Sequence, residues 1–190
     1  MPMILEEQFQ RFTFDDTWTV FRYDCAESGY FGVRDGVPGS RACDFAGVRS
    51  ATGYLIEVKD FRGYRIQTKA RMADGELAVE VAQKVRDTLA GIVSGVRRSD
   101  TERPWTEMLI HRLGQPQGQV VIVLALEDDT AADGRRWKQR LSTLTNELKA
   151  KLHWLRARVS VVSPQTFPGS MPGVVVTNLP GACGYAAHTP

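Results

Sequence analysis

Long hydrophobic runs are missing from this chain. The longest, VVIVLAL at Val120 to Leu126, is far below the ~20 apolar residues of a spanning helix and has the length of a buried strand. Paired cysteines are missing too: Cys25, Cys43 and Cys183 are odd in number and far apart, and His111, His153 and His188 are as scattered. That spacing argues against a zinc site and a disulfide framework, so a metal bound here is expected to be a hard cation on oxygen ligands. The opening MPMILEEQFQRF lacks the basic region and apolar core of a secretory signal, because Glu6 and Glu7 interrupt it. A cytoplasmic protein with no membrane partner is the expectation.

What is present is ordinary globular material. At 190 residues, 43% of them hydrophobic and 24% charged, the chain can bury one full core. A single domain over residues 1–163 is expected, followed by a Pro/Gly-rich extension over 164–190. The net charge of +2 hides an asymmetry. Residues 1–60 are rich in acids, whereas residues 135–158 carry Arg135, Arg136, Lys138, Arg140, Lys149, Lys151, Arg156 and Arg158 against one acid, Glu147. An acidic half beside a basic helix suits a metal site working on a polyanion, although a solvated helix face explains the charge alone equally simply.

Periodicity predicts a short helix over residues 4–12, from Ile4, Leu5, Phe9 and Phe12, and a strand in TWTVFRYD. SGYFGVRDGVPGS reads as a glycine-rich loop or loose hairpin. Two strands follow, Arg41 to Val48 and Gly53 to Phe61, joined by RSAT. Apolar positions at Leu77, Val81, Val85, Leu89, Ile92 and Val96 predict an amphipathic helix from Glu76 to about Val96. RRSDTERPW reads as a loop and Val120 to Leu126 as a central strand. A second long helix is expected from about Ala131 to Leu155, then a strand at RVSVV and an edge strand at GVVVTNL. This order argues for an α/β fold with a mixed β-sheet flanked by helices.

The chemistry concentrates in RACDFAGVRSATGYLIEVKDFRGYRI, residues Arg41 to Ile66. If RSAT closes the hairpin with Val48 opposite Gly53, Phe45 meets Ile56 and Asp44 falls beside Glu57. One face then carries Ala42, Asp44, Ala46, Leu55, Glu57 and Lys59, and the other Cys43, Phe45, Ile56 and Val58. Two carboxylates across a strand pair repel unless something positive lies between them, and a divalent cation is the obvious candidate. Lys59 is then placed to orient or deprotonate a water and to steady developing negative charge. The competing reading is a solvent-facing hairpin with a Glu–Lys pair, which leaves the apolar Ala42, Ala46 and Leu55 on that face unexplained. Asp60, by parity, points away and is expected to partner a nearby arginine.

Asp44, twelve intervening residues, then Glu57-Val58-Lys59 resembles the signature of the PD-(D/E)XK nuclease superfamily, with Cys43 where the name-giving proline stands. The resemblance covers roughly two thirds of the chain and is greatest to small bacterial members. It implies a restriction-endonuclease-like αβββαβ core, here with an added C-terminal helix and strands. It also implies Mg²⁺ or Mn²⁺ held by Asp44, Glu57 and the carbonyl of Val58, and hydrolysis of nucleic-acid phosphodiester bonds, DNA favoured. A further acid is expected from Glu6, Glu7 or Asp24, a choice the sequence leaves open. Arg62, Arg65, Lys69 and Arg71 are candidate phosphate contacts. Gln83 matches the first position of the Gln-x-x-x-Tyr found on a helix in RecB-like members, but Asp87 replaces the tyrosine. A homodimer and partner proteins of a defence or repair system are the expected assemblies. The main alternative is a catalytically inactive nucleic-acid-binding or protein-interaction subunit of the same fold; a more distant one is a structural subunit docking through its basic helix.

Overall fold

Strands with apolar side chains on both faces need cover on both sides, and the strands from Phe45 to Val162 obtain it from two different layers. The computed structural model describes residues 1–25, 30–62, 75–98, 103–115, 118–128, 134–164 and 166–180. Five strands form the central sheet: β3 (Trp18–Arg22), β4 (Phe45–Arg49), β5 (Thr52–Asp60), β6 (Gln119–Glu127) and β7 (Arg158–Val162), in that spatial order. The β3–β4 and β4–β5 pairs are antiparallel, while β5–β6 and β6–β7 are parallel. A smaller antiparallel sheet orders β1 (Met3–Glu7), β2 (Gln10–Phe14) and β8 (Val174–Asn178).

Side-chain alternation divides the core in two. Ala46, Leu55, Ile122, Leu124 and Leu126 face helices α2 (Glu76–Arg98), α3 (Arg103–Gly114) and α4 (Gly134–Lys151), through Leu77, Val81, Val85, Leu109, Leu144 and Leu148. Phe45, Ile56, Val58, Val121 and Val123 face the small sheet, where Phe12, Phe14 and Val174 cover them. The short helix α5 (Phe167–Ser170) adds Phe167 to this second core. Phe12 meets Phe45 and Phe167 edge-on at centroid distances of 5.3 and 5.6 Å. Phe12→Ala should lower unfolding free energy by roughly 3–5 kcal/mol, read from the denaturant midpoint, because the ring has no neighbour able to refill its volume.

The expected helix over residues 4–12 is a β-hairpin, with β1 and β2 turning at Gln8, whose φ is 51°. Helical spacing and strand alternation overlap in so short a segment, and the deciding contact is distant: β2 pairs with β8 from Gln10↔Asn178 to Phe14↔Val174. Part of the stretch read as a glycine-rich loop is helix α1 (Tyr30–Gly36), packed against α2. RRSDTERPW also runs into a helix, α3, because Pro104 stands in the first turn, where its missing N–H costs no helical bond. Among the described residues no helix is long and apolar enough to cross a membrane.

Candidate active site

The hairpin register is the expected one. Val48 pairs with Gly53 and Phe45 with Ile56, and the turn tightens to Ser50-Ala51 with Arg49 opposite Thr52. The ladder stops at Phe45, so Asp44 uses its side chain instead: Oδ2 accepts the N–H of Val58 at 2.7 Å. Helix α2 fixes the approach to Asp44. Asp87 Oδ2 accepts the N–H of Arg41 at 3.1 Å, and Thr88 Oγ1 accepts the N–H of Cys43 at 2.8 Å. Cys43, expected on the face of Phe45 and Ile56, therefore lies in the helix-side core. Its thiol is pushed far up by burial and by the charge of Glu57, so it stays protonated.

Glu57 is 1% exposed and Asp44 7%; neither is a solvated fringe. Lys59 Nζ lies 2.9 Å from Glu57 Oε1 and 3.0 Å from Glu80 Oε1. Lys84 Nζ lies 2.7 Å from Glu57 Oε1 and 3.8 Å from Asp44 Oδ1. Arg41 reaches Glu80 at 3.6 Å. Glu80, Lys84 and Asp87 recur three or four residues apart on α2, so one helix face supplies all three. Glu80 is not singled out by the sequence; Lys84, on the polar side of the helix, fits either the site or a solvated face there, and the structure buries it to 8% exposure at the site. The signal was available: polar residues at i, i+4 and i+7 border the apolar stripe that docks onto the sheet.

Burial, and then the charge of Glu57, push the Asp44 carboxyl up to about 8, against the pull of Lys84 and the Val58 N–H. For Lys84, burial disfavours the charge, but the carboxylates of Glu57 and Asp44 outweigh it and hold the ammonium protonated. The folded chain thus holds more protons on Asp44 than the unfolded chain between pH ~4 and ~8. Stability from this group is fullest near the low end of that window and falls as pH rises through it. Asp44→Asn keeps an acceptor for Val58 and should leave stability near pH 5 almost unchanged. Above pH 8 it should raise it by on the order of a few kcal/mol, flattening the pH slope of the melting midpoint.

The other expected site residues are spread more widely. Val58 offers a backbone carbonyl where β5 runs on past its last pair with β4, but Gln8 Nε2 donates to it at 3.1 Å, while Gln8 Oε1 accepts the N–H of Asp60 at 2.6 Å. Glu7 is close enough for its charge to act on Asp44, and Arg22 Nη1 holds it at 2.5 Å. Glu6 pairs with Arg11 at 2.7 Å and Asp24 is exposed. Asp60 binds Arg62 at 2.5 Å, and Arg62 also donates to the carbonyl of Phe9, so its guanidinium is anchored at the β1–β2 turn. Gln83 is exposed on α2. Arg65, Lys69 and Arg71 lie outside the described residues.

Among the described residues no three His, Cys, Asp or Glu side chains are grouped to hold a metal ion. A two-carboxylate site remains, which is the usual protein share for Mg²⁺ when waters and substrate phosphate complete the shell. Glu57 Oε2 is buried without a hydrogen-bond partner among the described residues. An orphaned, buried carboxylate oxygen beside a second acid fits a hard cation. Lys84 now supplies the positive charge between Asp44 and Glu57.

No family model matches the chain, and no solved structure matches it. Over 112 residues, 56% of this chain, it is 30% identical to a Cysteine–tRNA ligase of Neisseria meningitidis serogroup A / serotype 4A. The matched segment spans 16% of that ligase, so the chain is similar to a small portion of a much longer protein.

Proposed function

We propose that the chain is a Mg²⁺- or Mn²⁺-dependent nuclease of the PD-(D/E)XK kind, hydrolysing phosphodiester bonds at Asp44, Glu57 and Lys59. The observation that carries this reading is the convergence of those three side chains, the buried Asp44 and Glu57 and the partly buried Lys59, where β5 runs on past its last pair with β4. The succession β3-α1-β4-β5-α2-α3-β6 contains the strands and helix of a restriction-endonuclease-like core in order, with α1 and α3 added and a hairpin rather than a helix ahead of it. Asp44 and Glu57 are the residues that would hold the cation, and the Val58 carbonyl is a third oxygen donor if Gln8 releases it. A bound cation neutralises phosphate charge and acidifies a water. Lys59, held between Glu57 and Glu80, orients that water and offsets negative charge building on the phosphoryl oxygens. Glu80 acts through Lys59 as a positioning residue, and Arg41 steadies Glu80 in turn.

A second reading has an observation of its own. Asp44 holds its proton up to about pH 8, and Glu57 and Glu80 already have Lys59, Lys84 and Arg41 beside them, so the cluster needs no metal to offset its negative charge. A non-catalytic module that keeps the fold and uses these pairs as a structural ion network fits that balance.

The test is incubation of the purified chain with single-stranded, double-stranded and circular DNA and with RNA, in Mg²⁺, Mn²⁺ or EDTA. RNA belongs in the panel because the similar segment comes from a ligase of tRNA. Metal-dependent cleavage, absent in EDTA, is the expected result. No cleavage with any substrate under either metal leaves the non-catalytic reading in its place.

A further inference from the structure

Helix α2 has a second working face. About a third of a turn from Glu80 and Lys84, its residues Val79, Ala82, Gln83 and Arg86 line one side of a groove of about 570 Å³, with Lys151 at the end of α4 and Trp154 opposite. Trp154 belongs to a short 3₁₀ turn, His153–Leu155. Trp154 is 51% exposed and Val79 40%. An indole open to water on a groove wall is unusual for a residue that normally buries most of its area.

The chemistry of the lining selects the occupant. Among the described residues it carries two cations, one amide, an aromatic face and the apolar Val79 and Ala82, with no carboxylate in the lining. Asp87 Oδ1 holds Arg86 through Nε at 2.8 Å, which aims the guanidinium while its side chain stays 65% exposed. An apolar peptide would desolvate Lys151 and the exposed part of the Arg86 guanidinium without giving either a new partner. A duplex keeps its bases stacked inside and has none free for Trp154. A single strand offers both a free π-face and a phosphate on each nucleotide, matching the indole and the two cations. We infer that this groove binds a single-stranded nucleic acid, with a base stacked on Trp154 and flanking phosphates on Arg86 and Lys151.

The substrate class rests on the nuclease reading, but the binding does not need catalysis. The test is therefore fluorescence anisotropy in EDTA, using the full chain with a labelled oligothymidylate, an oligouridylate and a DNA duplex of equal length. Trp154→Ala should weaken single-strand binding by ~10-fold and leave duplex binding unchanged, and Trp154→Phe should restore most of the loss. Arg86→Gln and Lys151→Gln should each weaken binding and reduce the slope of log affinity against log salt by ~0.7. The inference is overturned if Trp154→Ala and Arg86→Gln bind the single strand like the unmodified chain. Equal weakening toward duplex overturns it too, as does binding of neither form, which leaves the groove to a protein partner. Trp154-dependent binding without cleavage sinks the nuclease reading alone; cleavage with Trp154-independent binding sinks this inference alone.

Discussion

Lys59→Ala is expected to lower metal-dependent phosphodiester cleavage by on the order of 10³-fold, measured as single-turnover rate at saturating metal. Lys59 bridges Glu57 and Glu80, so its loss removes the group that orients water and the cation shared by the two carboxylates. Lys59→Arg should not restore the rate, because a planar fork does not replace a compact ammonium between two oxygens that are each ~3 Å from it. Glu80→Gln should fall between Lys59→Ala and the unmodified chain. It keeps an acceptor for Lys59 but gives up the charge that Arg41 and Lys59 share. A Lys59→Ala rate within a factor of a few of the unmodified chain would remove Lys59 from the chemistry.

Lys84→Met is expected to have the largest effect on stability in the cluster. It takes away the ammonium 2.7 Å from a carboxylate that is 1% exposed. Breaking a buried pair from one side costs roughly 3–5 kcal/mol when the surviving charge is left uncompensated; Lys59 still stands 2.9 Å from Glu57, so the loss should fall at about the lower end of that range. Under the metal reading, a divalent cation replaces that charge, so Mn²⁺ should raise the melting midpoint of Lys84→Met more than that of the unmodified chain. The unmodified chain has to displace Lys84 before the cation can enter. Under the ion-network reading Mn²⁺ does nothing for either protein. A destabilised Lys84→Met that Mn²⁺ fails to rescue therefore favours the non-catalytic module.

The site's strand half was legible in the sequence and its helix half was not. Period-two alternation plus the RSAT turn sufficed to bring Asp44 to Glu57, because a one-residue slip would have turned Phe45 and Ile56 out of the core. The faces of β5 were sorted correctly for the same reason. The periodicity of α2 puts Glu80 and Lys84 on the border of its apolar stripe, but their meeting with Glu57 also depends on how α2 packs against α1, α3 and α4, which no local pattern gives. The N-terminal hairpin escaped for a similar reason: β2 finds its partner β8 some 160 residues away, from Phe14↔Val174 to Gln10↔Asn178. Its turn then delivers Gln8 to the Val58 carbonyl, a contact that no local pattern announces.

The most direct test of the central claim is calorimetric titration of the metal-free chain with Mn²⁺ under argon, above pH 8, beside Glu57→Gln and Asp44→Asn. Burial holds the Asp44 carboxyl up at about 8, so below that pH a cation must compete with a proton and affinity should drop as pH falls. The account predicts a saturable site in the unmodified chain that both substitutions abolish. No saturable heat in the unmodified chain, or heat that survives both substitutions, would contradict it.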